Sequence, residues 1–388
     1  MITLQSIFKK YGDEYQRRYP LNRAQRRAFN AICKCRTSEM GYHVNTCDQC
    51  EHYEISPNSC RNRHCPRCQN FAKEQWIKNQ ESYLLGVRYF HVVFTIPQEL
   101  NTLMYHNQSE MYNLFFRAVR ETLLELGADR KYVGATIGAT CILHTWGQNL
   151  CYHPHIHCVI PAGGLKDDMF WVNSSQKFFI PVKVLSAKFR GKFMALFRES
   201  LKKLEFLGEN KSLLETPYAL DSFIQMLYAK NWITFAKKPY KNASCVLNYL
   251  GRYTHKIAIS ESRIISCEDG KVTFMWRDYR DKNKNKEMTL DVIEFMRRYM
   301  MHVLPKGFCK IRHIGILASR NKSSRIELCQ RLTKSRFSCV KRLDAHEIRV
   351  AILGKGYNLC PACKVGTLSR ASPEVALRLA SQSLGFVA

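Results

Sequence analysis

The chain has 388 residues and a formal net charge of +28, with 60 Lys and Arg against 32 Asp and Glu. This excess favours a polyanionic partner, and nucleic acid is the commonest one for a globular chain. No apolar run approaches the roughly 18 residues of a membrane-spanning helix, and the first residues lack a signal-peptide pattern. We therefore expect a cytoplasmic protein of two or three domains with no membrane partner.

The first module combines a basic amphipathic helix pattern over residues 1–32 with a dense run of metal-ligand residues. Two Cys-x-x-Cys hooks, Cys47–Cys50 and Cys65–Cys68, have the spacing of structural zinc sites. We predict two zinc sites, and their combined ligands are Cys35, His43, Cys47, Cys50, Cys60, His64, Cys65 and Cys68. The partition of these ligands stays open, and Cys33 is an alternative to Cys35.

The 17 cysteines cluster in such hooks beside histidines, which indicates metal binding in a reducing compartment rather than disulfides. Arg61, Arg63 and Arg67 lie within the same stretch. A zinc-held module that carries arginines is predicted to read DNA, and contact with another protein is the alternative.

The central module alternates strand and helix patterns. An apolar, β-prone run over 89–96 ends at Pro97 and predicts a buried strand. A helix is predicted from Ser109 to Leu126, with Gly127 as its C-terminal glycine. Strands over 132–147 and 155–161 follow, and further helices are predicted over 183–204, 219–230 and 243–254. This order predicts an α+β fold in which helices pack against a central antiparallel sheet.

His155 and His157 are separated by one apolar residue, so both imidazoles project from the same side of a strand. That geometry suits two ligands of one divalent metal. Gln148, at the end of the preceding strand, is the predicted third ligand. An amide oxygen, water and phosphate oxygens suit a hard ion, so Mg²⁺ or Mn²⁺ is expected, with Zn²⁺ as the rival.

Tyr249 and Tyr253 are four residues apart and therefore share one face of a helix. Their spacing alone is more typical of core packing. Beside a phosphate-polarising metal, however, phenol nucleophiles indicate DNA strand breakage through a phosphotyrosine link. Basic residues surround this helix and are predicted to bind the DNA backbone, although a solvated charged face would have the same pattern; they are Lys237, Lys238, Lys241, Arg252 and Lys256.

The last part of the chain has strand patterns over 256–318 and a basic, amphipathic helical pattern over 310–350. The second pattern predicts a DNA-binding segment. Cys360 and Cys363 form a further Cys-x-x-Cys hook. They are an alternative third zinc site, with Cys329, Cys339 or His346 as completing ligands.

Several sequence blocks resemble one protein family. The runs Gly147–Leu150 and His153–Pro161 resemble the HUH signature of two-tyrosine, rolling-circle transposases of bacterial insertion sequences. The segment from Tyr249 to Tyr253 is similar to the tyrosine pair of that family. The segment from Asn58 to Cys68 resembles its amino-terminal zinc domain, and the segment from Ile311 to Leu317 resembles a further block. Together these blocks span most of residues 30–320.

The resemblance implies an HUH endonuclease-like core and an enzyme that nicks and rejoins single-stranded DNA at transposon ends and target. The enzyme would become linked to the 5′ phosphate through tyrosine and leave a free 3′ hydroxyl. We expect a zinc-binding domain over 1–85, a nuclease domain over 86–260, and an accessory strand region with a basic carboxy-terminal DNA-binding region over 261–388.

No GxxxxGK[ST] phosphate loop is present, so a host helicase and replication factors are expected partners, with action at the nucleoid. A replication initiator or relaxase with the same chemistry is one alternative. A non-catalytic, zinc-containing DNA-binding regulator is the other.

Overall fold

The protein is described by a computed structural model that covers residues 2–175, 179–240, 246, 251, 257–278, 281–318, 322–336 and 344–384. In chain order the strands are β1 (Tyr42–Cys47), β2 (Tyr53–Pro57), β3 (Tyr89–Thr95), β4 (Thr136–Trp146), β5 (Tyr152–Pro161), β6 (Gly163–Lys166), β7 (Phe170–Asn173), β8 (Thr234–Tyr240), β9 (Ile264–Glu268), β10 (Lys271–Asp278), β11 (Lys284–Asp291), β12 (Ile311–Gly315) and β13 (Leu368–Arg370).

The α-helices flank these strands in sequence. They are α1 (Leu4–Arg18), α2 (Arg23–Lys34), α3 (Pro66–Glu81), α4 (Asn101–His106), α5 (Gln108–Ala128), α6 (Val182–Ser200), α7 (Pro217–Ala229), α8 (Val292–Met300), α9 (Lys322–Leu332), α10 (Ala345–Leu353) and α11 (Pro373–Leu384). Within the described ranges, no helix is long and apolar enough to cross a membrane.

A seven-stranded sheet in the order β7-β6-β4-β5-β3-β8, with β12 also paired to β4, forms the centre of the molecule. Every pairing in it is antiparallel. The α+β prediction, an antiparallel sheet with flanking helices, is therefore confirmed. The predicted buried strand over 89–96 is β3, and the strand that carries the histidine pair is β5.

The two faces of the sheet differ because side chains alternate along each strand. Phe90, Val92 and Phe94 of β3 belong to the main core with α5 and α6. The alternate residues His91 and Val93 lie on the opposite face. We call this opposite face the histidine face, because it carries His91, His144, His155 and His157.

The long helix α5 differs in detail from its prediction. It begins at Gln108 rather than at a Ser109 cap, and it continues to Ala128. Gly127 lies inside the helix and is not its C-terminal glycine. A Cβ atom at Gly127 would lie 2.8 Å from the Ile137 side chain on β4. The glycine therefore serves the close approach of the helix to the sheet.

A second core joins the start of the chain to its later part. Residues 1–32 form two helices rather than one, because Pro20 separates α1 from α2. Each helix begins with a capping box, formed by Thr3 and by Asn22. The two helices pack against α8 and the β11-β10-β9 sheet in one buried cluster. The regions predicted as separate amino-terminal and accessory segments thus share a core.

Candidate active site and metal centres

Three imidazoles converge on the histidine face. His144 of β4 and His155 and His157 of β5 have ligand nitrogens that all lie within 4.8 Å of one another. His144 and His157 are buried, and His155 is half-buried. Three imidazoles placed in this way can hold one divalent metal from three sides.

His144 was not among the residues predicted from the sequence. The register of the sheet sets it directly opposite His155, so the two side chains share a face. Its ring stacks on Trp146, with centroids 4.7 Å apart. In the sequence, His144 and Trp146 alternate along β4, so both side chains are expected on one face of the strand. Only the pairing of β4 with β5 shows that His144 lies opposite His155.

Hydrogen bonds fix the orientation of the two predicted ligands. Nδ1 of His155 lies 2.7 Å from the His153 carbonyl oxygen, and Nδ1 of His157 lies 2.9 Å from Nε2 of His91. In both rings the protein contact uses Nδ1, so Nε2 is the nitrogen left to bind a metal. Burial, followed by the nearby His153, lowers the pKa of His155 to about 4. The ring is therefore neutral near pH 7, which is its metal-binding form.

The three imidazole ligands change which divalent metal is expected at this site. Three imidazoles fit Mn²⁺ or Zn²⁺ better than Mg²⁺, which prefers oxygen ligands. The predicted oxygen ligand, Gln148, lies in the tight turn between β4 and β5. The residues of the structure are thus compatible with a catalytic divalent ion, and the role of the Gln148 amide remains a prediction.

Side chains from later in the sequence hold that turn. Arg263 donates from Nη2 to the Gln148 carbonyl at 2.7 Å, and Arg298 donates from Nη1 to the Asn149 carbonyl at 3.1 Å. Nε2 of His302 lies 3.0 Å from the carbonyl oxygen of Leu150. The side chain of Leu150 is buried in the second core. The turn is therefore fixed by the region that follows the nuclease segment.

Tyr249, Tyr253, Lys241, Arg252 and Lys256 lie outside the described residues. Val246 and Gly251 are described, and both are helical. The Val246 side chain is fully buried in one cluster with Ile142 and Val159. Ile142 is the register partner of His157, and Val159 is two residues along β5, so Val246 packs on the histidine face.

Cys35, Cys60, Cys65 and Cys68 form the first cysteine cluster. The Sγ atoms of Cys35 and Cys60 each lie 3.6 Å from that of Cys68. Cys65 and Cys68 stand at the start of α3, and Cys35 follows α2. Four cysteine ligands occupy all four positions around a tetrahedral zinc ion, so this cluster suits a structural zinc site rather than a catalytic one.

Neither predicted histidine ligand of zinc reaches a cysteine cluster. Nδ1 of His43 lies 2.9 Å from Oδ1 of Asn58. Nε2 of His64 accepts a hydrogen bond from the Leu304 amide at 3.1 Å, and burial lowers the pKa of His64 to about 3. His64 thus links the amino-terminal module to the segment after α8. The predicted eight-ligand set differs from the structure at these two positions.

The hook at Cys47 and Cys50 does not join the hook at Cys65 and Cys68. It meets Cys360 and Cys363 instead, in a second cluster of four. Of the alternative partners predicted for the carboxy-terminal hook, the two that the structure describes lie elsewhere. Cys329 is buried in a separate apolar cluster, Nδ1 of His346 lies 3.0 Å from the Tyr357 hydroxyl oxygen, and Cys339 is outside the described residues.

The basic residues predicted to bind DNA have different surroundings. Arg63 is half-buried and donates to the Phe308 carbonyl, which is a structural link. Arg61 is exposed, whereas Nη1 of Arg67 donates to Oε1 of Gln5 at 3.1 Å. Lys237 and Lys238 belong to β8 at the edge of the sheet. DNA contacts by these residues remain predictions.

A cleft of about 450 Å³ lies beside Arg67, between the first cysteine cluster and α10. It is lined by Arg36, Arg67, Phe71, Lys73, Glu74, Glu261, Ile352 and Leu353. The lining combines three basic and two acidic side chains, and Nζ of Lys73 lies 2.6 Å from Oε1 of Glu74.

Two family models match separate parts of the chain. Residues 138–325 match a family model, Y2_Tnp, described as "Putative transposase", and residues 7–96 match a "Transposase zinc-binding domain" model of IS91 type. No solved structure matches the chain significantly.

Two curated relatives cover most of the chain. It is 42% identical over 370 residues to "Putative transposase y4qJ" of Sinorhizobium fredii (strain NBRC 101917 / NGR234), and the match covers 93% of each chain. It is 32% identical over 298 residues to the "Transposase for insertion sequence element IS801" of Pseudomonas savastanoi pv. phaseolicola, which covers 74% of this chain and 68% of that one. The chain therefore belongs to the Y2 transposase family of bacterial insertion sequences and carries that family's amino-terminal zinc-binding domain.

Proposed function

We propose that this transposase nicks and rejoins single-stranded DNA at insertion-sequence ends through 5′-phosphotyrosine links, at a divalent metal on the histidine face. The observation that carries the proposal is the convergence of His144, His155 and His157 within 4.8 Å. The transposase relatives favour this function over a replication initiator, a relaxase or a non-catalytic regulator.

His144, His155 and His157 would hold the ion, with Gln148 as a further candidate ligand. When bound, a divalent ion offsets the charge that develops on the scissile phosphate. The hydrogen bonds of His157 with His91 and of His155 with the His153 carbonyl keep two of the rings in the ligand orientation. Burial keeps the His155 imidazole neutral near pH 7, so no proton has to leave this ring before it binds the ion.

Tyr249 and Tyr253 are the proposed nucleophiles. The phenol oxygen bonds to phosphorus, the bond to the 3′ oxygen breaks, the phenol proton passes to solvent and the 3′ oxygen gains a proton. In rejoining, a 3′ hydroxyl attacks the phosphotyrosine and releases the phenol, so no ATP is consumed. Two tyrosines one helical turn apart allow a second transfer while the first strand is still attached.

The packing of Val246 supports this assignment. Val246 lies three residues before Tyr249 and is buried on the histidine face, against Ile142 and Val159. Ile142 pairs in register with His157. Val246 therefore lies on the same face of the sheet as the three imidazoles.

We propose that the DNA strand runs across the histidine face toward β8. Phe235 pairs with Val93, which pairs with His157, and its ring is 52% exposed. An exposed phenyl ring two strands from the metal suits stacking on a base. We assign contacts with backbone phosphates to basic residues that the sequence predicts; these are Lys237, Lys238, Lys241, Arg252, Lys256, Arg61 and Arg67. We propose action on cytoplasmic, nucleoid DNA, with a host helicase and replication factors supplying the single strands.

An SDS-stable adduct tests the function. The protein is incubated with labelled single-stranded oligonucleotides of the element ends and Mn²⁺, and the products are separated under denaturing conditions. We expect an adduct with the wild type, a reduced one with Tyr249→Phe or Tyr253→Phe, and none with the double variant. Tyr218→Phe is the matched control, because Tyr218 is 81% exposed on α7. Binding without an adduct in the wild type would instead support a non-catalytic regulator.

A further inference from the structure

Two Cys-x-x-Cys hooks from opposite parts of the chain meet in the second cysteine cluster. One hook, Cys47 and Cys50, ends β1, and the other, Cys360 and Cys363, precedes β13. We propose that these four cysteines bind one structural Zn²⁺ that joins the carboxy-terminal segment to the amino-terminal module. The matched zinc-binding domain covers residues 7–96 and therefore contains only half of this ligand set.

The sulfur distances have the values that a tetrahedral zinc site requires. Sγ of Cys47 lies 3.7 Å from Sγ of Cys363, and Sγ of Cys50 lies 3.7 Å from Sγ of Cys360. Four thiolates at a Zn–S distance of about 2.3 Å stand about 3.8 Å from one another. A disulfide would instead bring two sulfur atoms to about 2.05 Å. The cluster is therefore spaced for a shared ion and not for a covalent bond between cysteines.

Backbone amides already point at the sulfur atoms. The amide of Gln49 donates to Sγ of Cys47 at 3.3 Å, and the amide of Gly366 donates to Sγ of Cys363 at 3.2 Å. Four thiolates and one Zn²⁺ carry a net charge of −2. Amide donors around a metal site stabilise such charge and fix the ligand orientation.

The two hooks are also held together by contacts that involve no cysteine. β13 pairs with β1 through Asn45 with Arg370 and Thr46 with Ser369. The Asp48 carboxylate accepts the Thr367 amide at 2.7 Å and the Thr367 hydroxyl at 2.8 Å. These strand pairs and hydrogen bonds hold the two Cys-x-x-Cys hooks next to each other independently of a metal ion.

Gly366 makes the close approach of the hooks possible. A Cβ atom at this position would lie 2.5 Å from Sγ of Cys47 and 2.7 Å from Oδ1 of Asp48. Both distances are shorter than atoms of these types tolerate, so a side chain here would push the hooks apart.

The site closes a long loop of the chain, because Cys50 and Cys360 are 310 residues apart. It holds β13 beside the amino-terminal hairpin, and α10, earlier in the same segment, packs against α3. The cleft lined by Arg67, Phe71 and Leu353 lies between these elements. Loss of this zinc is therefore expected to loosen the carboxy-terminal segment and one wall of the cleft.

Zinc stoichiometry of the full-length protein tests the proposal. Zinc is released with a mercurial reagent and measured with a metallochromic dye. The four proteins compared are wild type, two double variants and the quadruple variant. The double variants Cys47→Ser with Cys50→Ser and Cys360→Ser with Cys363→Ser should each lose one zinc per chain relative to wild type. The quadruple variant should also lose only one. A loss of two zinc ions from the quadruple variant would show two separate sites and overturn the proposal.

The control is Cys151→Ser with Cys309→Ser, because both cysteines are exposed and belong to neither cluster. This variant should retain the zinc content of wild type.

A second measurement uses the wild type alone, so it does not depend on the folding of any variant. The zinc-loaded protein is labelled with N-ethylmaleimide before and after chelation, and each cysteine is followed by mass spectrometry. Cys47, Cys50, Cys360 and Cys363 should be protected together and become reactive at one common rate. Rapid labelling of Cys360 and Cys363 while Cys47 and Cys50 stay protected would contradict a shared ion.

Discussion

Nε2 of His91 lies 2.9 Å from Nδ1 of His157, and both rings are buried on adjacent strands of the sheet. His91 does not belong to the three-histidine group. Instead, His91 fixes the orientation of the His157 ring. A His157 that binds metal through Nε2 carries its proton on Nδ1 and donates a hydrogen bond from it to His91.

Replacing His91 should therefore weaken metal binding without removing a ligand. We expect His91→Phe to raise the Kd for Mn²⁺ by about 10–100-fold, the usual cost of losing an outer-shell partner. His91→Gln keeps an acceptor and should recover part of the affinity. Isothermal titration with Mn²⁺ measures both. Equal affinity for wild type and His91→Phe would show that His91 has only a packing role.

His144→Ala should abolish high-affinity Mn²⁺ binding and adduct formation, because it removes one of three ligands. The sheet should remain folded, since the substitution shortens a side chain without changing the backbone pairing. His106→Ala is the matched control, because His106 is exposed at the end of α4. Mn²⁺ titration and the adduct gel are the readouts. Full adduct yield in His144→Ala would exclude His144 as a ligand.

Phe235→Ala should weaken binding of single-stranded DNA. One base stacked on an aromatic ring contributes about 1–3 kcal/mol, which corresponds to roughly 5–150-fold in Kd. Phe235→Tyr should bind like wild type, since it retains the ring. The control is Phe170→Ala on β7, where an equally exposed ring lies at the other edge of the sheet. Fluorescence anisotropy with a labelled oligonucleotide gives the comparison, and equal losses at Phe235 and Phe170 would argue against a specific stacking site.

His302 should make stability depend on pH. Burial lowers its pKa to about 4, and its two ring nitrogens contact Thr145 and the Leu150 carbonyl. The unfolded chain takes up a proton below about pH 6.5 while the folded ring does not, so stability falls as pH drops from about 6.5 to about 4. Between pH 7 and pH 5 this group alone removes about 2 kcal/mol.

Urea unfolding of wild type and His302→Gln at both pH values checks this expectation. The amide side chain can keep both hydrogen bonds but does not titrate, so the variant should lose less stability on acidification. Zinc release at low pH affects both proteins alike. The same pH dependence in both proteins would assign the effect to other groups.

The sequence predicted those features that depend on local periodicity. The apolar, β-prone run at β3 and the strand pattern at β5 identified two central strands, and the spacing of His155 and His157 set them on one face. His144 was missed because its partner is set by the pairing of β4 with β5, which short-range pattern does not reveal. For the same reason Gly127 was taken for a helix end, although its role is contact with Ile137.

The zinc ligands show the same limit. The Cys-x-x-Cys spacing identified each hook, but the hook at Cys47 finds its partner at Cys360 through a β1–β13 pairing between distant parts of the chain. His64 has the spacing of a ligand, yet its ring is committed to the Leu304 amide. Spacing identifies ligand types, whereas the partition between sites depends on tertiary structure.

Pulsed electron paramagnetic resonance of Mn²⁺ bound to the Tyr249→Phe, Tyr253→Phe protein tests the central claim most directly, because that variant leaves an added oligonucleotide uncut. We predict hyperfine coupling of the bound Mn²⁺ to imidazole nitrogen, together with coupling to ³¹P when an element-end oligonucleotide is added. Bound Mn²⁺ with no nitrogen coupling, or with no ³¹P coupling in the saturated DNA complex, would contradict a metal held by these histidines against the DNA phosphate.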